Sequence, residues 1–157
     1  MESLNDIFLE VAENWGYETV QAIKKKISES QLVDKGVMKA SVNYNVKSLD
    51  DITFSIIDYA KFTDEGTGIF GPNKTPLKVG YWKKLGWILI QNGWASRHNV
   101  NAWAVAKSIE EKGGLKPRKF YKSVIDTRVN NKSLDKAIDA ALKLYEQALA
   151  DDFNKTK

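Results

Sequence analysis

Two short runs of strict alternation constrain this chain more than any other feature. Val42, Tyr44 and Val46 alternate with Ser41, Asn43 and Asn45, and Ile52, Phe54 and Ile56 alternate with Thr53 and Ser55. Period two is the pattern of a strand with one buried face. The polar link Lys47-Ser-Leu-Asp-Asp51 is short enough to join the two runs as an antiparallel hairpin. The apolar residues elsewhere recur mostly at helical spacing. The fold class read from this is α+β: a small antiparallel sheet (hairpin 39–58) packed against a long N-terminal helix and several C-terminal helices.

Leu4, Ile7, Phe8, Val11, Trp15, Val20, Ile23 and Ile27 lie near helical spacing, and Ser3 with Asp6 has the form of a capping box before them. Gly16 costs about 1 kcal/mol relative to Ala inside a helix, which predicts a bend or break near Trp15. Trp82, Leu85, Leu89 and Ile90 predict a short helix stopped by Asn92-Gly93. Asn99 is expected to cap a following helix whose face is Ala102, Trp103, Ala106 and Ile109, with Gly113-Gly114 ending it. Phe120 with Val124, and Tyr121 with Ile125, favour a helix over the strand that Tyr121, Ser123, Ile125, Thr127 and Val129 also allow. Leu134, Ala137, Ile138, Ala141, Leu142, Tyr145, Ala148 and Leu149 form a last amphipathic stripe after the N-cap candidate Ser133. A single domain over 1–150 is expected, with a frayed tail over 151–157.

Composition narrows the chemistry. The chain has no Cys, which removes disulfides, thiol nucleophiles and Cys-based zinc sites. No signal-peptide pattern opens the sequence, and the longest strongly apolar run, Trp87-Ile-Leu-Ile90, is far below a membrane span, so no membrane partner and synthesis in the cytoplasm are expected. A formal charge of +4 is mild, and the lysines are spread along the sequence rather than gathered in one block.

The single His98 is the one imidazole on which a catalytic triad could be built, and a solvated histidine at a helix entry is the better reading. The adjacent pairs Asp50-Asp51, Glu110-Glu111 and Asp151-Asp152 point apart on regular elements and read as solvated charge, leaving no metal or cofactor site. Gly66-Thr-Gly-Ile-Phe-Gly71 has the letters of a phosphate-binding glycine loop, but Pro72 and Pro76 follow where a helix must begin, so it reads as a structural turn. Lys116, Arg118 and Lys119 form a short basic knot able to touch phosphate. Of the clustered tryptophans, Trp82 and Trp103 fall on apolar helix faces and read as core. Trp87 and Trp94 are left as candidates for protein contact.

The order of parts carries a resemblance. A long helix is followed by a hairpin ending in Tyr59-Ala-x-Phe-x-x-Glu-Gly-Thr67, a Pro-rich loop and a Trp-bearing helix. An Ala-rich helix then ends in Glu111-Lys-Gly113, before Pro117-x-x-Phe120 and a terminal amphipathic helix. This resembles the neck and tail-completion proteins of tailed bacteriophages, whose signature is Tyr-Ala-x-aromatic-x-Glu-x-Gly-Thr with a later Pro-Phe. Here Glu65 is followed directly by Gly66, and two residues separate Pro117 from Phe120. The resemblance implies a non-enzymatic structural protein of the virion, made in the host cytoplasm and placed at the head-tail junction. It would form a closed homo-oligomeric ring beside other connector, portal-side and tail proteins, with DNA passing through without sequence specificity. It further implies that Tyr59, Phe62, Glu65, Gly66 and Thr67 form a positioned turn, and that Ile69, Phe70 and Pro72 meet a neighbouring copy. A small basic nucleic-acid-binding or other assembly module is the alternative.

Overall fold

A computed structural model of the chain describes residues 2–30, 35–58 and 60–157. Its elements in order are α1 (Leu4–Glu29), α2 (Lys35–Ser41), β1 (Asn43–Ser48), β2 (Asp51–Ser55), α3 (Ala60–Glu65), a 3-10 turn (Gly68–Phe70), α4 (Tyr81–Gln91), α5 (Trp94–Arg97), α6 (Ala102–Glu111), α7 (Lys122–Asn130) and α8 (Ser133–Lys155). The α+β reading holds. Among the described residues no helix is long and apolar enough to cross a membrane.

The chain divides into two compact units that interleave in sequence. The first comprises Met1–Lys24, Val42–Ser55 and Ser123–Lys157; the second comprises Lys25–Ser41 and Ile56–Lys122. The expectation of one domain over 1–150 rested on chain length, and no linker in the sequence separates the two units. None is needed here, because each unit is assembled from separated segments and no composition break marks the crossings.

In the first unit, β1 and β2 pair antiparallel with Tyr44 opposite Phe54 and Val46 opposite Ile52. These four are half-buried while their neighbours are exposed, so the hairpin has one wet face. It is shorter than the predicted 39–58, because Lys39–Ser41 close α2 and pairing begins only after Val42. α1 starts at the expected capping box. Ser3 Oγ accepts from the Asp6 N–H at 3.2 Å and Asp6 Oδ2 accepts from the Ser3 N–H at 3.2 Å. The helix continues through Gly16 without a break, and the glycine serves another purpose there. A Cβ on Gly16 would sit 2.6 Å from the Tyr44 ring, so its absence lets β1 pack closely on α1.

Trp15 is the hub of this unit. Phe54 meets it edge-on at 5.8 Å, Arg128 lies 5.4 Å from its ring, and its Nε1 donates to Ser133 Oγ at 2.8 Å. Arg128 Nε also donates to the fully buried Thr19 Oγ1 at 2.7 Å. Ser133 is thus not the N-cap that was expected. Lys132 holds that position, and the Ser133 hydroxyl is committed to Trp15 and to the Arg128 carbonyl. α8 runs to Lys155, past residue 150, since neither Gly nor Pro occurs after Pro117 to stop it.

In the second unit α4 and α6 pack through tryptophans. The Trp103 ring lies over Gly86, with Trp82 and Trp87 edge-on to it at 6.0 and 5.6 Å. The cap of α6 is Asn101, whose side chain accepts from the Trp103 and Ala104 N–H groups, rather than the expected Asn99, which has φ +50°. Lys122–Asn130 is a helix, as the i,i+4 pairs favoured.

Candidate functional site

The site grows from α3 and the turn that follows it. Ala60 and Asp64 are buried on one side of α3, while Phe62 on the other is 46% exposed. The chain then reverses through Gly66 at φ +80° and Gly68 at φ +61°, a region that L side chains rarely enter. A Cβ on Gly66 would stand 2.7 Å from the Leu115 carbonyl oxygen, and one on Gly68 would overlap the Gly113 carbonyl. The glycines are therefore required twice, by conformation and by the chain lying against them.

That neighbouring chain, 113–122, is tied to the turn along its length. The Thr67 N–H donates to Leu115 O at 2.9 Å, and the Leu115 N–H donates back to Thr67 Oγ1 at 2.9 Å. Ile69 N–H reaches Gly113 O at 3.1 Å, and Arg118 N–H reaches Thr63 O at 3.0 Å. The Asp64 carboxylate completes the junction. Its Oδ1 accepts from the N–H groups of Phe120 and Tyr121, each at 2.8 Å, and its Oδ2 accepts from Lys122 at 3.4 Å. A buried carboxylate thus satisfies the backbone donors that lead into α7, with Phe120 fully buried beside them. Burial, and then the Asp64 charge, push the Tyr121 phenol above its ordinary value.

Beside the junction lies an apolar groove of about 310 Å³, lined among others by Phe62, Leu85, Leu89, Trp94, Ile109 and Leu115. Thr67, Lys116 and Arg118 also reach it. Five of the residues singled out by sequence, Phe62, Thr67, Trp94, Lys116 and Arg118, are therefore brought to one place. The others are distributed around it in the same unit. Glu65 closes α3, Ile69 is 46% exposed with its side chain against Gly113, and Lys116 Nζ lies 5.7 Å from the Phe70 ring. Pro72 is exposed in the following turn, Lys119 sits at φ +33° with its N–H on Asp64 O, and Trp87 is 56% exposed on α4. Tyr59 lies outside the described residues.

Sequence reasoning did not name the carboxylate that braces the turn. Glu65 was named, yet Asp64 makes the bonds. The signal was present in the spacing, because an acidic residue two places before the turn glycine falls on Asp64. The Gly66–Gly71 run is a structural turn that contains the 3-10 turn Gly68–Phe70, and no α-helix begins directly after it to receive a phosphate. His98 is exposed and its ring lies 5.1 Å from that of Trp94. Among the described residues no group of three or more His, Asp and Glu is placed to hold a metal ion. Comparison with protein-family models, with curated proteins and with solved structures found no match to this chain.

Proposed function

We propose that this chain is a structural virion protein of a tailed bacteriophage, one subunit of a neck or tail-completion ring at the head-tail junction. It works by assembly rather than catalysis. One observation carries the reading: a turn held by backbone bonds and a buried carboxylate keeps Phe62 and Ile69 half out of the protein beside an apolar groove. Apolar surface on a fixed backbone suits association, because little conformational entropy remains to be lost on docking. The order of parts that resembles neck proteins supplies the rest of the argument. Partners in this reading are further copies, connector, portal-side and tail proteins, and DNA that passes without sequence-specific contact. Assembly takes place in the host bacterial cytoplasm.

The test is native mass with negative-stain imaging of the purified protein, alone and after mixing with tailed-phage head-connector complexes. Closed rings or uptake at the junction are expected. A monomer that ignores connectors counts against the reading, and a steep fall of its duplex-DNA affinity with salt would favour the nucleic-acid module instead.

A further inference from the structure

The charges, spread along the sequence, are sorted by the fold. The first unit carries 13 Asp and Glu against 8 Lys and Arg, net −5, and the second carries 16 Lys and Arg against 7 Asp and Glu, net +9, together the chain's +4. Residues 1–24 alone hold five carboxylates and one lysine. Each unit also offers an apolar feature set among its own charges. In the first, α1 and α8 wall an open groove of about 590 Å³ whose lining includes Ile7, Val11, Ala141 and Leu144. Glu2, Glu10 and Glu18 belong to the same lining. In the second, Lys83, Trp87 and Ile90 fall on one face of α4 with Lys84 beside them, and Trp87 and Ile90 are 56% and 42% exposed.

We infer that the groove between α1 and α8 receives the Lys83–Trp87–Ile90 face of α4 from a second copy of this chain. The apolar parts match in kind: an alanine-lined groove of this size has room for an indole and a neighbouring aliphatic side chain. The charges match in sign, lysines approaching a rim of glutamates, which selects orientation and speeds encounter. Groove and face are different surfaces, so the contact is head-to-tail and repeats from copy to copy, closing into a ring if the rotation allows. The inference deepens the ring reading by naming the two surfaces, and it rests on that reading for closure.

Charge reversal tests it. One variant carries Glu2→Lys and Glu10→Lys, the other Lys83→Glu and Lys84→Glu; all four side chains are exposed, and Glu18 is left alone because it pairs with Arg128 at 3.2 Å. By sedimentation velocity at low salt, each variant alone should associate on the order of a hundredfold more weakly than the wild type. Their equimolar mixture should recover association, because every contact in an alternating assembly is again complementary; recovery also shows both variants folded. Trp87→Ala should weaken wild-type association by roughly tenfold or more. Association that survives in both reversed variants overturns the interface while leaving the ring reading standing. A wild type that stays monomeric overturns the docking, and uptake of that monomer into connectors would again spare the ring reading. Loss of duplex-DNA binding in the lysine variant with unchanged self-association assigns the face to nucleic acid and overturns the inference.

Discussion

One contact region in each unit shows a different way of holding chain to chain. In the first, α1 meets the hairpin and α8 through side chains: the Tyr44 ring over Gly16, Phe54 on Trp15, and the Trp15 indole on Ser133. In the second, the turn over 66–70 meets 113–122 through main chain, with Thr67, Leu115, Ile69 and Arg118 all bonded by their N–H groups and Asp64 collecting three more. Side chains can rotate away from an intruding atom, whereas a bonded backbone has nowhere to go. The turn should therefore respond far more sharply to small changes than the α1–hairpin contact, and its unit carries every described contact residue that the sequence reading named.

The largest effect is expected at Gly68. Gly68→Ala demands a positive φ of an L residue and drives its Cβ into the Gly113 carbonyl, costing about 4 to 6 kcal/mol. Hydrogen exchange should show the Thr67, Ile69 and Leu115 amides losing protection while those of α1 before residue 24 keep theirs. Equal loss in both places would mean that the units do not unfold separately and would erase the contrast.

Asp64→Ala comes next. It strands three N–H groups that a charged acceptor had satisfied, at a cost of about 3 to 5 kcal/mol in denaturant unfolding. Glu65→Ala, one residue along, should change stability by less than about 0.5 kcal/mol, as a substitution away from the bonded network. If native mass and negative-stain imaging show Glu65→Ala weakening assembly at unchanged stability, the two carboxylates divide structure from contact between them.

How much of this was legible in the sequence depends on how far apart the interacting residues lie. The helices over Leu4–Glu29, Tyr81–Gln91 and Ala102–Glu111 and the hairpin are set by periodicity within a few residues, and they were readable. α2 and α5 are too short to show a period and were missed. The partners of Asp64 lie 56 to 58 residues away, so its spacing to Gly66 can mark the residue but not what it bonds. Ser133 reads as a cap by type and position, and only the Trp15 indole 118 residues earlier explains why it is not one. The same holds for charge: lysines that look dispersed along the chain are gathered by a topology that crosses between units at residues 24, 41, 55 and 122.

The counterpart in the first unit is Gly16→Ala. The substitution gains about 1 kcal/mol of helix propensity but meets the Tyr44 ring at 2.6 Å. Since Tyr44 is half-buried and a ring can tilt where bonded backbone cannot, the net loss should stay at about 1 kcal/mol, well below that of Gly68→Ala. In a Tyr44→Ala background the same change should turn stabilising by about 1 kcal/mol, because only the propensity gain remains. A loss as large as that at Gly68 would show the first unit to be no more forgiving than the second.

The smallest effect separates the units by pH. Tyr121 in the second unit and Tyr44 in the first both have phenols raised above their ordinary value, each by burial first, then by Asp64 for Tyr121 and by Glu13 for Tyr44. A phenol raised in the fold stays neutral there after the unfolded chain has begun to ionise. Below the ordinary phenol pKa of about 10 neither state is charged and the fold loses nothing; as pH climbs past it, stability falls until the folded phenol also ionises. Tyr121→Phe should flatten the alkaline limb for the second unit, and Tyr44→Phe should do so for the first. Salt should distinguish them. Glu13 is exposed and its share is screened, whereas Asp64 is 5% exposed and keeps most of its influence, so added salt should relieve the Tyr44 contribution more than that of Tyr121. Denaturant midpoints followed from pH 8 to pH 11 at low and high salt, in each single variant, provide the comparison.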